Sequence, residues 1–177
     1  MLAVAWFAAV AIPVLALARL SGAHINPAVT LGLVVARRFD PRELVPYVGA
    51  QLSGAFAGSA LVGLTIGTAA HWGATIPHTP DLGLVAVMEF GFTVALVLSV
   101  LYLTTRGKKP SNLELLLPAA VVGLSTYLIG PWTGSSLNPA RTLAPAVLSG
   151  DYLGIWVYLL AVPAAALVTA LAVPRTG

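Results

Sequence analysis

The tripeptide Asn-Pro-Ala occurs twice in this chain, at residues 26–28 and again at 138–140. The first copy sits in SGAHINPAVTL, which begins at Ser21, and the second in TGSSLNPARTL, which begins at Thr133. Each follows a small-residue loop and opens an apolar run. A shift of 112 residues (from 26 to 138) also lays Ser21-Gly22 on Thr133-Gly134, Ile25 on Leu137 and Thr30-Leu31 on Thr142-Leu143. The match breaks at one place: Arg141 stands where the first copy has Val29. A fold for this chain must therefore use one loop-and-helix unit twice.

The surroundings of the two copies are apolar. Hydrophobic residues make up 58% of the chain, charged residues 8%, and mean hydropathy is +0.92. Soluble domains carry about 25% charged residues, and a soluble fold of this length has too little interior to hide so much apolar surface. An all-α membrane protein is the class that fits. With no cysteine there is no disulfide, thiolate metal site or cysteine nucleophile. The net charge of +3 lies in short clusters, which bear on membrane orientation and not on nucleic-acid binding. Met1 to Ala18 is apolar without a preceding basic stretch, so it reads as a spanning helix and not as a secretory signal.

A spanning helix needs about 20 mostly apolar residues. Five segments qualify, near Leu2–Ala18, Arg42–Thr65, Leu82–Thr104, Leu113–Gly130 and Tyr152–Val173. Asp40 as N-cap and Pro41 at the first helical position mark the start of the second. Pro13, Pro118 and Pro163 fall inside spans, where neighbouring helices re-satisfy the backbone. Pro27–Ala36 and Pro139–Leu148 are too short to span. At about 1.5 Å per residue each is about 15 Å long, half of a hydrocarbon core of about 30 Å. Both read as re-entrant half-helices.

Basic residues alternate from loop to loop. Arg37, Arg38 and Arg42 follow the first span, Arg106, Lys108 and Lys109 the third, and Arg175 the fifth, while residues 67–81 hold no Lys or Arg. The positive-inside rule places the three basic sites in the cytoplasm, with the N-terminus outside and the C-terminus inside. One membrane domain, residues 1–177, then holds a first, incomplete repeat (1–66) and a second (82–177) of opposite orientation. Inverted repeats of this kind carry their sites near the midplane, on broken helices. The second half has one span, Leu82–Thr104, without a partner in the first. Symmetry therefore expects a helix before Met1, and the chain is read as a fragment or a five-span version.

Asn is a favoured N-cap and Pro suits the first helical turn, so Asn26-Pro27-Ala28 and Asn138-Pro139-Ala140 each open a half-helix. Two such N-termini meeting near the midplane carry about +0.5 elementary charge each and disfavour cations. The two amides can donate to a passing water from opposite sides, interrupting a proton-conducting chain of waters. The loops Gly22-Ala23-His24 and Gly134-Ser135-Ser136 are expected to run extended, offering a row of carbonyl acceptors along one wall of a narrow pore. Arg141 keeps its charge and offers five donors; inside a membrane segment such a residue points to function. At a pore mouth it grips solute oxygens and repels cations.

Blander readings stand beside these. Glu89, the only acid well inside a span, either accepts from the backbone of the second loop and braces the surroundings of Arg141, or is a plain interhelical hydrogen-bond partner. His24 reads as a hydrogen-bonded loop brace more readily than as a ligand. His71 and His78 read as surface residues, without metal-ligand partners nearby in sequence. Trp6-Phe7 is as readily an interfacial anchor as a pore pair. Gly54, Ala57, Gly58 and Ala60 suit close helix packing.

SGAHINPAVT, TGSSLNPART and the Gln51-Leu52-Ser53-Gly54-Ala55 stretch resemble the aquaporin, or major intrinsic protein, family over nearly the whole chain. The resemblance implies an aquaporin-like right-handed helical bundle with an inverted repeat, five spanning helices plus two re-entrant half-helices here, and a homotetramer with one pore per subunit. Glu89 resembles the family's buried glutamate at the head of the second repeat. The family's first helix, with its own buried glutamate, has no counterpart in this chain. The family's narrowest point corresponds to Trp6 (or Phe7, one residue on), Thr126, Ser135 and Arg141. Strict water channels of the family usually have His where Thr126 stands. Trp6 resembles the bulky aromatic of glycerol-conducting members, which usually follow the arginine with Asp, where this chain has Thr142.

The expectation is a passive, multi-pass plasma-membrane channel for water, extending to small neutral solutes such as glycerol, with no cofactor, no metal and no nucleic-acid partner. Nothing resembles a nucleotide loop or a paired-carboxylate site, which speaks against an enzyme. The rivals are a secondary transporter, which inverted repeats also permit, and a non-conducting fragment.

Overall fold

The computed structural model describes residues 1–105 and 110–174. Arg106, Lys108, Lys109 and Arg175, on which part of the orientation rests, lie outside the described residues. The described residues form helices joined by loops: α1 (Leu2–Ser21), α2 (Pro27–Val35), α3 (Leu44–Thr65), α4 (Leu82–Thr105), α5 (Asn112–Leu115), α6 (Leu117–Leu128), α7 (Gly130–Thr133), α8 (Pro139–Ser149) and α9 (Ile155–Ala172).

Among the described residues, four helical segments are long and apolar enough to cross a membrane: Leu2–Ser21, Pro41–Thr65, Leu82–Thr104 and Ile155–Ala172. Asp40 accepts a hydrogen bond from the Arg42 N–H at 2.9 Å, and Pro41–Glu43 is a 3-10 turn leading into α3. The expected span at Leu113–Gly130 differs from its sequence reading, because it is not one unbroken helix. Its apolar helical stretch, Asn112–Leu128, is shorter than the other four. A Ser111–Glu114 capping box starts α5, and Pro118 lies in the first turn of α6. Leu116 and Ile129 keep right-handed helical dihedrals at the two joints, so the path continues through α7 to Gly134.

The packing follows the sequence repeat. Half-helix α2 packs on α9, and α8 packs correspondingly on α3, while α1 and α6 meet at the centre. Small residues set these approaches. A Cβ on Gly32 of α2 would lie 3.2 Å from Val97 of α4 and 3.6 Å from the Ala166 carbonyl of α9. At the centre, a Cβ on Gly123 of α6 would lie 3.1 Å from the Phe7 Cβ and 3.2 Å from the Ala3 carbonyl of α1. The core around α2 is aliphatic, with Leu33, Val97, Leu101, Val162 and Ala166 all at or below 1% exposure.

The two halves are covered unequally. In α4 and α9, 39% of the membrane-spanning window is buried, against 11% in Leu2–Ser21 and 6% in Pro41–Thr65. Helix α4 packs against α9 and α6. In the first half, no helix among the described residues lies between α1 and α3, and the groove there is open.

Candidate functional site

The two half-helices begin in the same way. Asn26 (φ −148°, ψ 116°) and Asn138 (φ −149°, ψ 112°) are both extended N-caps with proline in the first turn. The Asn26 Oδ1 accepts from the Ala28 N–H at 2.9 Å. The Asn138 Oδ1 accepts from Ala140 at 3.0 Å and Arg141 at 3.3 Å. Each side-chain amide also donates across the pseudo-two-fold. Asn26 Nδ2 reaches the Leu137 carbonyl at 2.7 Å, and Asn138 Nδ2 reaches the Ile25 carbonyl at 2.8 Å. An Asn NH₂ carries two donors. One of these in each amide therefore ties down the opposite loop.

The preceding loops are not extended throughout. Gly22 and Ala23 (φ 84° and 50°) and Gly134 and Ser135 (φ 74° and 48°) are successive left-handed residues at matching places, and Leu137 (φ 53°) is a further one. Gly22 and Gly134 close the helices before them, donating to the Ala18 and Gly130 carbonyls at 3.0 and 2.9 Å. The left-handed pairs turn the chain sharply before the half-helix starts. Non-glycine residues adopt this region at a cost, and only where the surroundings dictate it.

In the second loop Glu89 is part of those surroundings. It is fully buried on α4, and its Oε1 accepts from the Thr133 hydroxyl at 2.7 Å and the Ser136 N–H at 3.0 Å. Its Oε2 accepts from the Leu137 N–H at 2.9 Å. Tyr158 of α9 adds a hydroxyl donated to the Thr133 carbonyl. The first loop is held from α3. The Tyr47 hydroxyl accepts from the His24 N–H at 3.1 Å and donates to the Ser21 carbonyl at 2.9 Å. Gln51 donates to the His24 carbonyl and to Thr30. The His24 ring packs edge-on to Phe39 and tilted against Tyr47, with ring centres 5.1 and 5.2 Å apart, and among the described residues its buried Nδ1 has no hydrogen-bond partner. His24 thus sits in an aromatic cluster and is tied to α3 through its backbone.

Arg141 lies one turn into α8. Its Nη1 donates to the Thr75 hydroxyl and to the Gly73 carbonyl at 3.3 Å, and its Cζ stands 4.8 Å from the centre of the Trp6 ring. That contact is a cation–π arrangement. Among the described residues no carboxylate is within ion-pair distance of the guanidinium. The Ser135 and Ser125 hydroxyls meet at 2.9 Å, and the Thr126 hydroxyl donates to Val122 within its own helix at 2.9 Å. Thr126 and Ser135 flank Gly130, 3.8 and 3.9 Å from where a Cβ would stand. His71 is largely exposed and lies 3.6 Å from Asp151. Among the described residues no cluster of His, Asp and Glu suits a metal ion.

A cavity of about 180 Å³ runs between the half-helices, walled by Asn26, Val29, Ser136, Asn138, Arg141 and Trp6 among others. Val29 and Arg141 thus face the same space from opposite half-helices. A larger groove of about 670 Å³ lies along α3 beside Gly54, Gly58 and Ser59, and shares Trp6, His24, Asn138 and Arg141 with the cavity. Ser135 lines the narrower cavity with Trp6 and Arg141; Thr126 lines neither space. Several contributors were not legible as such in the sequence. Tyr47 had only its place in an expected span, Gln51 stood out only as part of the family-like Gln51–Ala55 stretch and with no role of its own, and Gly73 and Thr75 sit in a polar loop without a pattern of their own. The mirrored motif could have prompted a search for first-loop partners at the start of α3.

These features define a class: a helical membrane bundle of two inverted halves whose capped half-helices abut at a narrow cavity. The sequence profile of the Major intrinsic protein family matches residues 1–172, and the chain belongs to that family. It is 37% identical over 158 residues to aquaporin NIP1-1 of Oryza sativa subsp. japonica, covering 89% of this chain and 55% of that one. It is 34% identical over 161 residues to nodulin-26 of Glycine max, covering 90% of this chain and 59% of that one. Its structure superposes on the X-ray structure of the aquaglyceroporin from Plasmodium falciparum with a TM-score of 0.79 and 31% identity, covering 96% and 79% of the two chains. The chain spans a little over half the length of these curated relatives.

Proposed function

We propose that this protein is a passive transmembrane channel for water that extends to small neutral solutes such as glycerol. The observation that carries this reading is the pair of capping asparagines, each with one amide N–H committed to the opposite loop and one left for the cavity between them. A water oxygen accepts from both spare donors, so its own protons point away along the pore and a proton relay is interrupted. Two helix N-termini of about +0.5 charge each and the Arg141 guanidinium oppose cations. Carbonyls of the two loops accept from the passing solute, and Val29 and Leu96 supply the apolar side. Trp6, Ser135 and Arg141 form the narrowest point, with Thr126 next to Ser135 around Gly130. Glu89 and the left-handed residues are the frame of the second loop.

The protein crosses the plasma membrane several times, the helical path from Asn112 to Thr133 serving as the fifth span, with the C-terminus in the cytoplasm. It assembles as a homotetramer with one pore per subunit, and it needs no cofactor, metal or nucleic acid. The relatives' names, aquaporin and aquaglyceroporin, support both solute classes. Stopped-flow light scattering on liposomes containing the chain tests the reading. Osmotic shrinkage well above protein-free vesicles, with a low activation energy, is expected. A rate equal to that of protein-free vesicles would refute conduction by residues 1–177.

The open groove beside Arg141 favours a second reading, a bundle that assembles around the half-helices without sealing a pore. The same measurement decides between the two.

A further inference from the structure

The partners of Arg141 belong to a single chain of hydroxyls that leads back to the second asparagine. Thr75 is 6% exposed, Thr142 1% and Ser136 6%. The Thr142 hydroxyl donates to the Thr75 oxygen at 3.4 Å, and Ser136 and Thr142 share a short hydrogen bond. Ser136 in turn accepts from the Asn138 N–H at 3.2 Å. Each hydroxyl has one proton, and the Ser136 hydroxyl has two acceptors in reach, the Asn138 carbonyl at 3.2 Å and the Thr142 oxygen. With Thr142 donating to Thr75, the proton between Ser136 and Thr142 comes from Ser136. The donors then run from Asn138 N–H through Ser136 and Thr142 to Thr75, which also accepts from Arg141 Nη1. Hydrogen bonds in series polarise one another, so the Thr75 oxygen is a strengthened yet neutral acceptor. It holds the guanidinium without cancelling its charge.

Thr75 is itself fixed from several directions. The segment before it is anchored where the Ser59 hydroxyl donates to the Trp72 carbonyl, and the Trp72 ring lies on Gly63, where an added Cβ would come within 2.2 Å. Beyond it, His78 donates to the Trp132 carbonyl at 2.9 Å. Gly134 passes so close beneath that a Cβ on it would lie 3.0 Å from the Ile76 carbonyl and 3.1 Å from Thr75. We infer that Thr75, polarised through Thr142 and Ser136, is the positioning residue that fixes the Arg141 guanidinium and couples solute discrimination there to the Asn138 cap. As a statement about discrimination it rests on the channel reading above.

The test compares Thr75→Val, which keeps the shape and removes the hydroxyl, with Thr75→Ser, which keeps the hydroxyl, and with Thr142→Val, which cuts the chain one step back. In liposomes Thr75→Val is expected to change the glycerol-to-water permeability ratio by roughly 3- to 10-fold, the scale of the net contribution of one hydrogen bond. Thr142→Val should move it the same way by less, and Thr75→Ser should keep the wild-type ratio. An unchanged ratio in Thr75→Val that elutes and melts like wild type overturns the proposal. A second readout does not need conduction. In protein with ¹⁵N-labelled arginine, assigned with Arg141→Lys, the Arg141 Nη signals should be resolved in wild type and Thr75→Ser and averaged by rotation in Thr75→Val. If wild-type liposomes show no flux, the channel reading fails and the arginine signals alone decide the role of Thr75. Signals identical in all three proteins would refute it.

Discussion

Val29 and Arg141 occupy equivalent positions on the two half-helices, and both border the 180 Å³ cavity. One face of the passage is thereby apolar and the other charged. Arg141→Val would make the halves alike at this point. It should raise leakage of cations and of bulkier neutral solutes, measured as conductance across planar bilayers and as glycerol uptake by liposomes. Glu89 poses a different residue-scale test. Its two oxygens accept three hydrogen bonds, so Glu89→Gln, with its oxygen kept toward Thr133 and Ser136, leaves the Leu137 N–H facing an NH₂ group that cannot accept it. A buried donor left without a partner costs about 1–3 kcal/mol, which should appear as a lower unfolding midpoint in detergent. Asn26→Ala removes a cap worth about 1 kcal/mol and strips the buried Leu137 carbonyl of its Asn26 donor. It should destabilise the protein more than a surface Asn112→Ala in the same melt.

Among the elements, the half-helices were legible and the loops before them were not. Asn-Pro states both the cap and the first turn, so Pro27–Val35 and Pro139–Ser149 lie within a residue of their sequence reading. Ala23, Ser135 and Leu137 carry no such signal, because their left-handed dihedrals are imposed by packing around the loops and not by residue type. The broken path at Leu116 and Ile129 was hidden for a related reason: both joints fall on apolar residues next to apolar residues, Leu115-Leu116-Leu117 and Leu128-Ile129, so hydropathy does not mark them. The Arg141 partners escaped because a threonine in a polar loop looks like any other until the fold brings it to the guanidinium. Close packing at small residues gives an element-scale prediction. Gly32→Leu would drive side-chain atoms into Val97 and the Ala166 backbone, whereas a Cβ on Gly54 meets nothing within 4 Å. Overpacking costs about 1–3 kcal/mol, so Gly32→Leu should lower the melting midpoint and reduce osmotic flux, and Gly54→Leu should not lower the midpoint.

For the whole molecule, the channel reading predicts flux linear in the imposed gradient and indifferent to sodium or proton gradients. Saturation with ion coupling would instead indicate a transporter. Titration of vesicles under each gradient separates the two. The reciprocal amide bonds, Asn26 to the Leu137 carbonyl and Asn138 to the Ile25 carbonyl, also bear on biogenesis. Irregular backbone at membrane depth persists only where it is satisfied by protein or faces water. Most loop groups find partners within their own half, through Tyr47 and Gln51 or Glu89, but the Ile25 and Leu137 carbonyls are each satisfied from the opposite half. Each loop thus keeps one unpaired carbonyl until the opposite half is in place, which predicts that the two short helices seat fully only late and together. The absence of native cysteine makes this visible by thiol labelling. Ala28, 1% exposed in the finished fold, should react as Ala28→Cys in chains halted after residue 81 and become shielded once the second half is made.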